Sequence, residues 1–538
     1  MCVLLLLFSC LVEAAPSGDE LHEPRQYTYG ADGVTHVVLT AAQTKVMVGD
    51  TPYTSLVFNG DYDAPLIRTR PGGTIELTLD NQMDELTNLH FHGMQVSPLD
   101  EGDSIFRDTA PHTKGQYVLR LPTDHSPGPY WYHSHFHRGA ERQVSGGLSG
   151  PILVDGIKDQ FPELRPVRER ILVLRNFQKT LTGRLASEIV TGWPSIRTIN
   201  GQREPDIAIH PGETQLWHLF NVDANQYFRL HLAGMHVQLI SQDADTVVKD
   251  VSIDEMLIGP SARISILVTG PAPGRYPLTM GSANTGPAGD TYAAATLGTL
   301  VSAGDSVPTV RITSAYPHVR DLRQSPVAAS RRFVFQDDED DGNAFYINGR
   351  RFDPGRVDTT VKLGDIEEWT LFNPSQELHQ FHIHQLDFQV TKINGTPVDF
   401  IGYRDNVFIP ALGSITLRIP FTDPVILGKF VYHCHIMEHE DGGMMQVIQV
   451  VKPQDYAQAV KLEPLGGIYG DNQTCAYLRN TGRDAIEKTA PSDARPLGVV
   501  RWVLALPWPP AQPRKPPPAA TPASASTTAP QSNTTSAA

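Results

Sequence analysis

His433-Cys434-His435-Ile436-Met437-Glu438-His439, with Met444 a little further on, is the stretch that decides how this chain reads. A thiolate flanked by two imidazoles, a further imidazole five residues on and a thioether ten residues on place Cys, His and Met donors in one short segment. Adding His379 gives a His2Cys set with a weak axial Met, the ligand pattern of a blue-copper centre. Successive side chains on a strand alternate between its faces, so Cys434 points one way while His433 and His435 point the other. One tripeptide then joins two metal sites.

Three more clusters lie upstream: His90-Phe91-His92-Gly93, Tyr132-His133-Ser134-His135 and His379-Gln380-Phe381-His382-Ile383-His384. Together the four clusters hold ten of the twenty histidines. Leaving out His379 and His439, the other eight pair as His-x-His (90/92, 133/135, 382/384, 433/435), each pair on one side of its strand. A single pair of this kind is often two exposed strand histidines. Four pairs, one of them around a cysteine, are too many imidazoles for one ion and point to a multinuclear site.

An internal repeat organises these clusters. Gly72-Gly73-Thr74-Ile75-Glu76-Leu77-Thr78-Leu79-Asp80-Asn81, Gly212-Glu213-Thr214-Gln215-Leu216-Trp217-His218-Leu219-Phe220-Asn221 and Gly364-Asp365-Ile366-Glu367-Glu368-Trp369-Thr370-Leu371-Phe372-Asn373 each run nine positions from Gly to Asn. Each reads as a turn glycine entering a strand with alternating apolar positions. Nine and eleven residues after the Asn come His90 and His92, then Leu230 and Leu232, then His382 and His384. Five and seven residues after Gly128, Gly274 and Gly428 come His133/His135, Thr279/Gly281 and His433/His435, with Ser134, Met280 and Cys434 between them. The middle copy therefore lacks metal ligands, only the third carries a thiolate, and the histidine cluster must form between the first and third copies.

With all four motifs in order, the chain resembles the multicopper oxidases, the family of laccases, bilirubin oxidases and bacterial copper-efflux oxidases, over roughly residues 30 to 452. The resemblance implies an all-β fold of three cupredoxin-like Greek-key sandwiches, in keeping with short strands punctuated by Gly and Pro. It implies four copper ions: a type 1 copper on His379, Cys434 and His439 with Met444 axial, a type 2 copper on His90 and His382, and a type 3 pair on His92, His133, His135, His384, His433 and His435. Electrons from a donor enter at type 1, and dioxygen is reduced to water at the other three. Three positions depart from the family's pattern: Gln380 stands where Pro is usual, Phe91 where Trp is common, and Gln385 where Gly is usual. Gln380 restores a backbone N–H beside a type 1 ligand. His112, His125 and His137 read as surface or supporting residues.

Reduction of dioxygen to water consumes four protons, so a carboxylate near the cluster is expected. Glu440, which matches by position the acidic residue that copper-efflux oxidases place near the type 3 coppers, is the first candidate. Asp100 and Asp103, ten and thirteen residues after His90, are candidates near the type 2 copper. The expected donors are phenols and aromatic amines, because outer-sphere electron transfer demands little complementarity. A cuprous or ferrous oxidase and a copper-sequestering resistance protein are the alternatives. Only ten Met, with no cluster beyond Met444 and Met445, speak against cuprous ion.

The 538 residues accommodate about three domains, read as 26–160, 161–315 and 330–455, with Asp305 to Arg331 as a linker. A net charge of -15 argues against nucleic acid and anionic membrane surfaces as partners, and a monomer is expected. Val3 to Phe8 followed by Val12-Glu13-Ala14-Ala15 reads as a signal peptide over 1–15, too short to span a bilayer, so a secreted or periplasmic protein is expected. Leu7-Phe8-Ser9-Cys10 leaves lipid anchoring through Cys10 as the runner-up. Cleavage would leave Cys434 and Cys475, with no disulfide framework if Cys434 binds copper. Residues 507–538, rich in Pro, Ala, Ser and Thr, read as a disordered tail. Asn394, Asn472 and Asn533 occupy N-x-Thr sequons.

Overall fold

The computed structural model describes residues 18–48, 51–178, 193, 195–232, 234–338 and 344–460. The signal segment, Cys2, Cys10, Cys475, two of the sequons and the tail lie outside them.

The three repeats fold alike. Gly72, Gly212 and Gly364 all take positive φ (72°, 81° and 100°), a left-handed turn conformation that glycine adopts without a Cβ clash. Each turn leads into a strand: Thr74–Asn81, Thr214–Asn221 and Asp365–Asn373. Burial alternates along the first, as the sequence leads one to expect, whereas the middle strand is buried at every position. Its Trp217 and Leu219 face their own sandwich core, while Leu216 packs with Ile157 and Phe161, and Phe220 with Trp131 and Met437. The middle sandwich is thus covered on both sides.

The terminal Asn of each repeat is fully buried and works the same way three times. Its Oδ1 accepts from the amide two residues on (Met83, 3.0 Å; Asp223, 3.2 Å; Ser375, 2.8 Å). Its Nδ2 donates to two later carbonyls: Glu85 and Thr109, Gln226 and Ile258, Glu377 and Ile409. These bonds fix the loop that delivers the next strand, which in copies one and three carries ligands. Asn221→Leu strands two carbonyls and an amide in the core, and is expected to lower unfolding free energy by about 2–4 kcal/mol in denaturant titration. A loss under about 0.5 kcal/mol would show that the amide does not hold this loop.

Each repeat strand belongs to one sheet of a two-sheet sandwich. In the first sandwich the second sheet runs Gln26–Tyr27, Leu66–Thr69, Ser149–Val154, Gly128–His133, His90–His92. In the third it runs Thr359–Lys362, Met445–Val451, Gly428–Cys434, His379–Ile383, Asn406–Ile409. The ligand strands pair directly, His90 opposite His133 and His382 opposite His433. In the middle copy Leu230 lies opposite Met280 rather than Thr279, so the register is one residue off the sequence alignment. Leu230, Leu232 and Met280 are buried together in its core.

The stretch from 305 to 331 is fastened rather than free. Glu163 accepts from the amides of Thr313 and Ser314, Arg418 donates to the carbonyls of Leu322 and Ser325, and Ala329 to Arg331 already belong to the strand Ala329–Asp337. No helix of the described residues is long and apolar enough to cross a membrane.

Candidate metal centres

Strand pairing brings eight histidines from the first and third sandwiches into one buried cluster. His90, His92, His133, His135, His382, His384, His433 and His435 are each at most 1% exposed. Inner ring nitrogens converge: His384 Nε2 and His135 Nε2 lie 3.2 and 3.3 Å from His433 Nε2, and His92 Nδ1 lies 3.1 Å from His435 Nε2. His90 stacks on His384 at 3.6 Å and His92 on His382 at 3.7 Å.

Outer nitrogens are held by acceptors. His133 Nδ1 donates to the Ser134 carbonyl (2.8 Å), His382 Nδ1 to the Asp405 carbonyl (2.8 Å) and His433 Nδ1 to the Cys434 carbonyl (2.9 Å). His90 Nδ1 meets Asp103 at 3.0 Å and His92 Nε2 meets Asp405 at 3.1 Å. A carbonyl only accepts, so these rings carry their proton outward and turn a lone pair inward. The inward Nε2 atoms of His90, His133 and His382 are buried with no hydrogen-bond partner. Unpaired buried lone pairs converging in this way suit metal ions. Burial holds His133 at about 3 and His135 at about 4, so both rings are neutral at ordinary pH.

A second centre lies on the other face of the Cys434 strand. His379 Nδ1 and His439 Nδ1 are 3.2 Å apart and lie 3.9 and 3.5 Å from Cys434 Sγ. All three residues are buried. Burial pushes the Cys434 thiol up, so a bound cation is what would keep it a thiolate. Met444 is fully buried and tied to both neighbours: its amide donates to the His439 carbonyl and its carbonyl accepts from the Cys434 amide. Met445, by contrast, sits opposite His433 in the sheet and packs with Ile105, Val431 and Val447.

His439 stands on a helical turn, Met437–Asp441. On that turn His439 faces Cys434 while the next residue, Glu440, faces the eight-histidine cluster. Glu440 is fully buried, with Oε1 3.3 Å from His135 Nδ1 and Oε2 3.1 Å from His433 Nδ1. Burial pushes its carboxyl up, but the facing rings of His135 and His433 outweigh this and hold it at about 2.

Three family profiles, each described as multicopper oxidase, match residues 40–159, 175–302 and 324–454. The chain is a member of the multicopper oxidases. A multicopper oxidase of Staphylococcus haemolyticus is 24% identical over 74% of this chain and 84% of its own length, and the laccase of Bacillus subtilis is 24% identical over 70% and 82%. The cell division protein FtsP of Escherichia coli is 26% identical over 72% and 83%, so membership alone does not fix an activity. Among solved structures, a metallo-oxidase from Campylobacter jejuni superposes with a TM-score of 0.71 at 24% identity, covering 81% of this chain and 96% of that one. That likeness establishes the cupredoxin-like fold.

The structure of this multicopper oxidase sorts the acidic candidates. Asp103 is buried beside His90, accepts from the Phe91 amide and from Gln385 Nε2 (2.9 Å), and is pushed by burial up to about 7. Asp100 is not brought to the cluster: it is exposed on a turn with φ 52°, and its carbonyl accepts from Arg107. Gln385 has φ 66°, which explains why glycine suits that position; its side chain contributes the bond to Asp103. His112 is exposed, His125 is buried and accepts from the Gln95 amide, and His137 is half-buried against Phe352. A surface cleft lined by Phe106, Asp108, His137 and Lys429 reaches His135.

Other residues carried no sequence signal. Asp405 sits beside the Nε2 of His92 and is clamped by Arg263, which comes from the middle sandwich. Gly93 is explained by the same pair: a Cβ there would collide with Asp405 Oδ2 and Arg263 Nη2. At the Cys434 centre, Asp337 Oδ1 lies 3.5 Å from His379 Nε2 and Glu377 Oε2 3.9 Å from His439 Nε2. No spacing rule links these acids to the clusters; only folding does.

Proposed function

We propose that this protein is a laccase-like oxidase with four copper ions, coupling one-electron oxidation of phenols or aromatic amines to the reduction of dioxygen to water. His379, Cys434, His439 and Met444 would hold the type 1 copper, His90 and His382 the type 2, and His92, His133, His135, His384, His433 and His435 the type 3 pair. Bound there, copper supplies one-electron chemistry at the thiolate and four-electron chemistry with dioxygen among the imidazoles. The overall balance is four phenols and one dioxygen giving four phenoxyl radicals and two waters.

The observation that carries this reading is the Cys434 strand. Its sulfur faces one donor set while the residues on either side, His433 and His435, face the other, so the shortest covalent route between the centres is a single residue long. Glu440 and Asp103 hold ring protons outward and offer carboxylates beside the cluster. A surface cleft that counts His135 among its lining residues lies on this side of the cluster. Asp337 and Glu377, beside the type 1 rings, provide acceptors for the proton a phenol loses when it gives up an electron.

Those same two carboxylates favour a second reading, in which a ferrous or cuprous ion is the donor. Both readings are tested by copper analysis, visible and EPR spectra and oxygen uptake on purified protein. About four coppers, a blue band that bleaches with a phenol and recovers in air, and oxygen consumption are expected. Faster turnover with ferrous or cuprous ion than with phenols, lost in Asp337→Asn, would move the protein to the second reading. Copper bound without oxygen uptake from any donor would make it a sequestering protein. The apolar run at Val3 to Phe8 supports export.

A further inference from the structure

Gln380 touches both halves of the electron bridge through its main chain. It is fully buried in the strand His379–Ile383, between a type 1 ligand and the strand partner of Cys434. Its N–H donates to Cys434 Sγ at 3.4 Å, and its carbonyl accepts from the His435 amide at 2.6 Å. The side chain keeps the backbone in place: its amide donates to Asn406 Oδ1, and Gly259 of the middle sandwich packs against it, with room for no Cβ (2.8 Å from Gln380 Oε1).

We infer that the Gln380 N–H is a tuning group for the type 1 copper of this protein, raising its reduction potential above that of the same site with proline. The inference rests on the copper assignment proposed above. A hydrogen bond to a thiolate draws electron density from sulfur, weakens its donation to the oxidised ion, and so favours the reduced ion. Proline at this position deletes the donor and leaves the carbonyl free to bond His435. The strand already bonds through that carbonyl, so the substitution removes the bond to the sulfur and the side-chain bond to Asn406 but keeps the bond to His435, and Gln380→Ala accounts for the side-chain loss.

The experiment is a redox titration of the blue band in copper-loaded wild type, Gln380→Pro and Gln380→Ala. Gln380→Pro is expected to shift the potential down and Gln380→Ala, which keeps the N–H, to stay near wild type. Equal potentials in wild type and Gln380→Pro would overturn the inference, as would an equal drop in Gln380→Ala, which would assign the effect to the side chain. Should Gln380→Pro not fold, resonance Raman of wild type and Gln380→Ala in H2O and D2O decides: a shift of the copper–sulfur bands in D2O that is equal in the two proteins supports a bonded backbone N–H, and no shift in either protein overturns the inference. A wild type with no blue band at all would instead fail the copper assignment.

Discussion

Glu440→Gln is expected to slow reoxidation of the reduced protein by dioxygen about 100-fold or more, with copper content and the blue band unchanged. Gln keeps the shape and one acceptor oxygen but cannot hold a proton. Glu440 touches two rings of the cluster at once, and apart from those rings its oxygens have no hydrogen-bond partner among the described residues. It neighbours His439 in the chain, yet the helical turn directs it away from Cys434, so the type 1 spectrum has no reason to change. Stopped-flow reoxidation separates the steps: bleaching by a phenol at the wild-type rate followed by slow recovery is the expected trace. Wild-type recovery would remove Glu440 from proton delivery and turn attention to Asp103.

Arg263→Met is expected to cost about 3–5 kcal/mol of stability, because it takes the guanidinium partner away from the buried Asp405 carboxyl. The guanidinium is fully buried and donates through Nη1 to Asp405 Oδ1 (2.8 Å), with a second bond from Nη2 to Oδ2. It also donates to the carbonyl of Pro129 in the first sandwich (3.2 Å) and lies 3.7 Å from Asp243. One side chain of the middle sandwich therefore ties the first to the third at the point where Asp405 orients His92. Thermal unfolding should report the loss, and copper analysis should show weakened retention at the histidine cluster, since outer partners of ligating rings commonly matter 10–100-fold for affinity. An unfolding midpoint and copper content equal to wild type would show that Asp405 finds other compensation.

Much of this was legible in one dimension. The His-x-His pairs, the central Cys434 and the Gly-to-Asn repeats followed from the period-2 geometry of strands, and the absence of ligands at Leu230 and Leu232 told which sandwich would stand apart. The register slip at Met280 was not legible, because pairing depends on the partner strand as well as on spacing. Nor was the helical turn after Cys434, since five residues carry too little periodicity to declare a helix.

What the sequence determined by itself was the inventory of His, Cys and Met donors and the split of Cys434 from its two neighbours, because donors are fixed by residue type and alternation is fixed by the strand. What only the tertiary structure decided was the surroundings: Asp103 rather than Asp100 at His90, Asp405 with Arg263 at His92, Asp337 at His379, Glu377 at His439, and the Gln380 amide on the sulfur. Most of those partners come from distant parts of the chain, and burial, which sets both their geometry and their charge, exists only once three sandwiches close around the site.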